Sequence, residues 1–168
     1  ALYFNTTSLH DGNRLLDRPS LGSVESFPIR LQGLFADIRR FLDDLESRGR
    51  PAVVVLIPEH GAALRADHEH IAGLREVPTP AVTHAPVLVY LTGGSEPVNP
   101  VQISEPTSYL ALAELLARLL ENSPFGPQPR SLAEYATGLP NTDFVSENNG
   151  LIVCLLYTSP SPRDLSTS

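Results

Sequence analysis

Six apolar residues, Ala52-Val-Val-Val-Leu-Ile57, stand together without a polar interruption, and Pro58 ends them. A run this short and uniformly apolar is expected as a strand buried on both faces, the usual setting of a parallel sheet, because a strand with one wet face would alternate. Glu59 and His60 follow at once, Gly61 permits a turn, and Ala62-Ala63-Leu64 can open a helix. The pattern puts a carboxylate and an imidazole at the carboxyl end of a buried strand, where open α/β sheets carry their ligands. Both groups are good ligands for zinc or manganese. A metal held there stabilises charge on a phosphoryl oxygen and lowers the pKa of a bound hydroxyl. The same pair also reads as two solvated loop residues, and the neighbouring elements must decide.

Upstream, Leu2-Tyr-Phe-Asn-Thr-Thr-Ser-Leu9 is aromatic and β-branched, the composition of a strand. His10 comes next, then Asp11-Gly12-Asn13, which is turn chemistry. Arg14 to Pro28, with its prolines and serines, is expected as an ordered loop over the site. Between Arg30 and Arg48 the residues Leu31, Leu34, Phe35, Ile38, Phe41, Leu42 and Leu45 recur at helical spacing and predict one apolar stripe. Asp37, Arg39, Arg40, Asp43 and Asp44 form a solvated face, and Gly49 supplies a helix stop. Strand, helix and strand make a βαβ unit with a right-handed crossover. That arrangement would bring His10 and Glu59-His60 to one edge of the sheet.

Beyond the Glu-His pair, residues 62–73 predict a short helix or loop. There Asp67-His68-Glu69-His70 reads as a solvated face rather than a metal site. Leu74 to Pro80 is extended, since each proline biases its predecessor away from helix. Pro86 to Thr92 is a second buried strand, Val101 to Ile103 a short edge strand, and Thr107 to Glu121 a helix with Leu112, Leu115, Leu116, Leu119 and Leu120 on its apolar side. A helical turn at Ser131–Tyr135 and a last strand within Phe144–Val153 complete the expected elements. The predicted fold class is α/β, a mainly parallel sheet flanked by helices.

With 168 residues the chain can bury one core. Its net charge of −7 without a basic cluster excludes a nucleic-acid binder. The single cysteine, Cys154, excludes a disulfide framework. No apolar run approaches the ~20 residues of a membrane span. The chain starts at Ala1 and holds no methionine, so it is read as part of a longer protein, with any anchor upstream. From Cys154 onward the sequence resembles a translated sequencing adapter. Residues 1–152 are therefore taken as native domain and 153–168 as a non-native or disordered tail.

Three blocks carry a resemblance to a known family: residues 2–14, Leu-Tyr-Phe-Asn-Thr-Thr-Ser-Leu-His-Asp-Gly-Asn-Arg; residues 55–64, Val-Leu-Ile-Pro-Glu-His-Gly-Ala-Ala-Leu; and residues 73–86, Gly-Leu-Arg-Glu-Val-Pro-Thr-Pro-Ala-Val-Thr-His-Ala-Pro. Together they resemble the catalytic domain of the bacterial cellulose phosphoethanolamine transferases, in the alkaline phosphatase superfamily, over residues 1 to about 152. Glu59, where the wider superfamily usually has Asp, points to this subfamily. The resemblance implies an alkaline-phosphatase-like fold, truncated here on its N-terminal side. It implies a zinc enzyme at the periplasmic face of the inner membrane that moves phosphoethanolamine from phosphatidylethanolamine to cellulose, with a cellulose synthase complex as a partner. By the same resemblance Glu59 and His60 are metal ligands, His10 holds the phosphoryl group, and Arg75 sits against the phosphate. The nucleophilic serine would lie upstream, so these residues alone form a half-site that does not turn over.

Two other readings stay open at the level of sequence. One is a phosphatase or sulfatase of the same superfamily acting on a soluble ester. The other is a non-catalytic α/β domain that binds polysaccharide or a synthase partner. The 5 tyrosines and 6 phenylalanines fall mostly in strand or helix stripes rather than in a sugar-stacking platform, which disfavours the second.

Overall fold

A computed structural model describes residues 1–10, 12–62, 64, 80–93, 100–142, 144–148 and 151–154. The elements in order are α1 (Ser23–Ser47), β1 (Ala52–Leu56), α2 (Pro80–Thr83), β2 (Leu88–Thr92), α3 (Tyr109–Glu121), α4 (Leu132–Ala136), β3 (Phe144–Asn148) and β4 (Leu151–Cys154). The chain divides into two compact units, Ala1–Ser95 and Glu96–Ser168. It is a mixed α/β chain.

In the first unit α1 runs for 25 residues and begins well before Arg30. The expected loop over 14–28 thus gives way to helix from Ser23, with Pro28 inside it. A proline there forfeits one intrahelical hydrogen bond and strains the preceding turn. The compensation is tertiary. The buried Arg30 side chain donates to Ser26 Oγ (3.2 Å) and to Ser23 O (3.1 Å), tying the helix start together. The C-terminus follows the sequence expectation. Gly49 has φ +58°, Gly49 N donates to Glu46 O (2.8 Å) and Arg50 N to Leu45 O (3.2 Å). This is the Schellman arrangement, which satisfies the last carbonyls and turns the chain toward β1. Leu31, Leu34, Ile38, Leu42 and Leu45 are half-buried, as the periodicity requires, whereas Phe35 and Phe41 are exposed.

The sheet differs from expectation. β1 pairs antiparallel with β2, from Ala52 opposite Thr92 to Leu56 opposite Leu88. Among the described residues no parallel pair forms, and residues 2–9 are not a strand. Leu2, Tyr3 and Phe4 are 89%, 86% and 82% exposed. β-propensity alone makes no strand where no ladder partner accepts the backbone. The end of β2 is fastened instead to the start of β1. The buried Thr92 hydroxyl donates to Arg50 O (2.8 Å), and Gly93, at φ +74°, lies so near Pro51 N that a Cβ would sit 2.6 Å from it. All five β1 residues are half-buried rather than buried, which corrects the reading of a strand covered on both faces.

In the second unit Ser108 caps α3 by accepting from Leu110 N (3.3 Å), and its hydroxyl pairs with Thr142 Oγ1 (2.7 Å). Ala111, Leu112, Leu115, Leu116 and Leu119 face inward, but Leu120, expected on the same apolar side, is 86% exposed. The expected turn at 131–135 is α4, opened by a capping box in which Ser131 and Glu134 satisfy each other's backbone N–H. Tyr135 on α4 is fully buried, and its hydroxyl donates toward Asn122 O (2.7 Å) and Asn122 Oδ1 (2.9 Å). The expected edge strand at 101–103 does not form. The final strand is a hairpin of two, β3 with β4, antiparallel with a bulge between Phe144 and Ser146.

Candidate functional site

Glu59 and His60 sit where the sequence placed them, on a bend just past β1, with Glu59 exposed and His60 half-buried. The bend is held by close backbone contact. Gly61 N donates to Val82 O on α2 (2.6 Å), and a Cβ on Gly61 would lie 2.0 Å from Ala81 O. Only glycine allows the chain to run that near α2. Val82 is buried beneath this contact.

The imidazole of His60 is oriented from the same point. Its Nδ1 is 2.6 Å from Gly61 O. A carbonyl oxygen only accepts, so Nδ1 carries a proton, and in the neutral ring Nε2 is the nitrogen with the lone pair. A histidine whose Nδ1–H is fixed on a backbone carbonyl is the usual form of an Nε2 metal ligand. Glu59, the preceding residue, is exposed, and a carboxylate oxygen with an imidazole nitrogen is a donor chemistry that suits zinc as two of its ligands. Among the described residues no group of three or more His, Cys, Asp or Glu side chains is gathered to hold a metal. Arg75 lies outside the described residues.

His10 lies in a wound turn rather than at the end of a strand. His10 N donates to Thr7 O (2.9 Å), Asn13 N to His10 O (3.2 Å), and Asn13 Nδ2 to Thr7 O (2.5 Å). The turn is bound to the start of α1: Gly12 N donates to Ser23 Oγ (3.1 Å), and Arg30 Nη1 donates to Ser8 O (2.6 Å) and, at the long distance of 3.4 Å, to His10 O. Arg30 is 8% exposed, and Phe27 lies against its guanidinium with the ring centroid 5.6 Å away. The sequence reading passed over Arg30 as the first residue of a helix. The available signal was its position: it shares a helix face with Phe27, Leu31 and Leu34, where a charge is out of place unless it is used.

The second unit holds a half-open cavity of about 310 Å³ between the 103–107 and 136–141 segments, and none of the sequence-predicted residues lines it. No helix among the described residues is long and apolar enough to cross a membrane.

Residues 1–161 match the family model described as the cellulose biosynthesis protein BcsG C-terminal domain. The cellulose biosynthesis protein BcsG of Salmonella typhimurium (strain LT2) is 36% identical over 165 residues, which is 97% of this chain and 29% of that protein. The protein of the same name from Escherichia coli (strain K12) is 35% identical over the same shares. The chain thus spans less than a third of the length of the curated relatives it matches.

Proposed function

This chain belongs to the family of the cellulose biosynthesis protein BcsG C-terminal domain, and on that premise we propose that it is part of a zinc-dependent transferase. The reaction is transfer of phosphoethanolamine from phosphatidylethanolamine to a glucose hydroxyl of cellulose. The fold proposed for the whole catalytic domain is alkaline-phosphatase-like. Its place is the periplasmic face of the bacterial inner membrane, beside a cellulose synthase complex, with the anchor and the nucleophile outside these residues. The relatives' printed name supplies the link to cellulose biosynthesis. The observation that carries the metal part is the His60 ring, its Nδ1–H spent on Gly61 O so that Nε2 is the nitrogen for a metal, one residue on from the exposed Glu59.

Phosphoryl transfer asks a protein mainly for positioning and for neutralisation of charge on the transferring group. Zinc, when bound, supplies a lowered pKa for the attacking hydroxyl and an electrophile for a phosphoryl oxygen. The rest falls to side chains. Glu59 and His60 would hold the metal, at a bend that Gly61 fixes against α2. His10 donates to the phosphoryl group from its wound turn. Arg75 offers a planar fork suited to two phosphate oxygens at once.

The test is zinc content and transfer in a protein that spans the full length of the relatives and carries this chain. About one structurally bound zinc per chain is expected, lost together with transfer in the Glu59→Ala/His60→Ala double variant. Equal zinc in both proteins, or full transfer by the variant, overturns the reading. Release of phosphate from soluble esters with no modification of cellulose would instead assign the site to a hydrolase.

A further inference from the structure

Arg30 commits its donors to neutral oxygens on two separate segments. On α1 these are Ser26 Oγ (3.2 Å from Nε), Ser23 O (3.1 Å from Nη2) and Ser23 Oγ (3.3 Å from Nη2). On the turn that carries His10 they are Ser8 O (2.6 Å) and His10 O (3.4 Å), both from Nη1. A guanidinium is the one side chain that presents five donors in a fixed plane, so this arrangement sets the distance and the angle between helix and turn together. The hydrogen bonds Thr6–Ser8, Ser8 N to Thr6 Oγ1, His10 N to Thr7 O, Asn13 N to His10 O and Asn13 Nδ2 to Thr7 O are local ones, within residues 6–13. Exposed local contacts of that kind hold a loop weakly. Two ties reach from the turn to α1, one through Arg30 and one through Gly12 N on Ser23 Oγ.

We propose that Arg30 is a positioning residue for His10: its buried guanidinium clamps the Ser8–His10 backbone to the first turns of α1 and so fixes where the imidazole stands. The functional consequence rests on the reading of His10 as the group that meets the phosphoryl oxygens; the clamp itself does not. Arg30 touches no substrate in this scheme. Its guanidinium acts through the backbone, and every donor the structure accounts for is already spent on this chain.

The experiment is carried out on the full 168-residue chain and reads the His10 ring signals and backbone amide exchange by NMR. In the wild type a single His10 environment is expected, with the Asn13 amide protected by its bond to His10 O. In Arg30→Met the His10 ring signals should move to the shifts of an unstructured histidine. The Asn13 amide should exchange roughly tenfold faster or more, the range set by losing a hydrogen bond from a charged donor. Arg30→Lys, which keeps the charge and a donor for Ser8 O, should recover part of the wild-type position. Leu42→Ala weakens α1 far from the turn and separates positioning from general helix stability, because it should leave the His10 signals in place. Unchanged His10 signals in Arg30→Met overturn the proposal, as does an equal displacement in Leu42→Ala. Should Arg30→Met fail to fold, Ser26→Ala, which removes the acceptor of Nε together with the Ser26 hydroxyl's own bond to Ser23 O (3.2 Å), must still speed exchange at Asn13 by a smaller factor; no change there also overturns it. None of these readouts depends on zinc or transfer, so a failed transferase reading and a failed clamp are told apart.

Discussion

Each unit of this protein is organised by one arginine on a long helix, and the two arginines are used differently. Arg30 in the first unit is buried, and the acceptors it reaches are backbone carbonyls and serine hydroxyls. Arg118 in the second unit clamps the end of α4, donating to Tyr135 O (3.0 Å), Thr137 O (2.6 Å) and Gly138 O (3.5 Å), but it also pairs with Glu114 at 2.8 Å one helical turn back. Its side chain is 23% exposed and that of Glu114 is 47% exposed. The same guanidinium fork therefore serves a junction with a buried arginine and a buried acceptor, Ser26 Oγ, in one unit and a more exposed one in the other. Water can replace a donor at the Arg118 junction, whereas at the Arg30 junction the buried Ser26 hydroxyl is left unsatisfied when the donor goes. The first unit, which carries His10, Glu59 and His60, is the one whose local order rests on a buried charge.

The comparison is broken or sharpened first by the pair of truncations. Arg30→Met should lower stability by about 3 kcal/mol, since it strands the buried Ser26 hydroxyl and removes the part-buried bonds to Ser8 O and Ser23 O as well, while Arg118→Met should cost about 1 kcal/mol because solvent takes over. Urea unfolding followed by circular dichroism gives both numbers, and equal losses would mean that burial does not separate the two junctions.

The next effect belongs to the candidate metal bend. Gly61→Ala forces a methyl group onto Ala81 O and should cost about 1–3 kcal/mol, the range for overpacking a rigid contact. It should also weaken zinc binding by the longer protein, because the His60 ring is oriented by the carbonyl of that same residue. Gly33→Ala, where a Cβ meets open space, is the matched control and should be neutral or slightly stabilising. Zinc retained at wild-type affinity in Gly61→Ala would detach the bend from the metal site.

The smallest effect is a pH dependence that differs between the units. In the second unit the Ser131 backbone N–H and then its hydroxyl hold the Glu134 carboxyl below its ordinary value of 4.5. Its contribution is therefore present above that value and fades as pH falls through the lower folded one, so α4 should fray in acid. In the first unit the Tyr90 hydroxyl donates to a Glu46 carboxylate oxygen at 2.5 Å, and that bond, followed by burial, raises the phenol above 10.0. The tie between β2 and α1 is then intact below pH 10 and lost as pH rises through the higher folded value. Amide exchange at Tyr135 in acid and at Tyr90 in alkali checks the two limits, and Glu134→Gln should abolish the acid one.

Much of the local architecture was legible in the chain. The helical stripe from Leu31 to Leu45 has the right period, Gly49 is the stop it was expected to be, and Ser131 with Glu134 is a capping signature. The strand at 52–56 stops just before Ile57-Pro58, and Glu59-His60 stand just beyond them. These features depend on residues within a few positions of one another, and propensity, periodicity and capping chemistry act over that range.

What the tertiary structure alone decided is pairing and reach. An apolar run states that a strand must be covered, not which neighbour covers it or in which direction, so the expected parallel partner at residues 2–9 gave way to the antiparallel partner at 88–92. The start of α1 moved from Arg30 to Ser23 across a proline, because a buried arginine supplies hydrogen bonds that no local rule counts. The tie between Arg30 and the turn of His10 spans about twenty positions of sequence, beyond any helical or strand period, and exists only once the chain has folded back on itself.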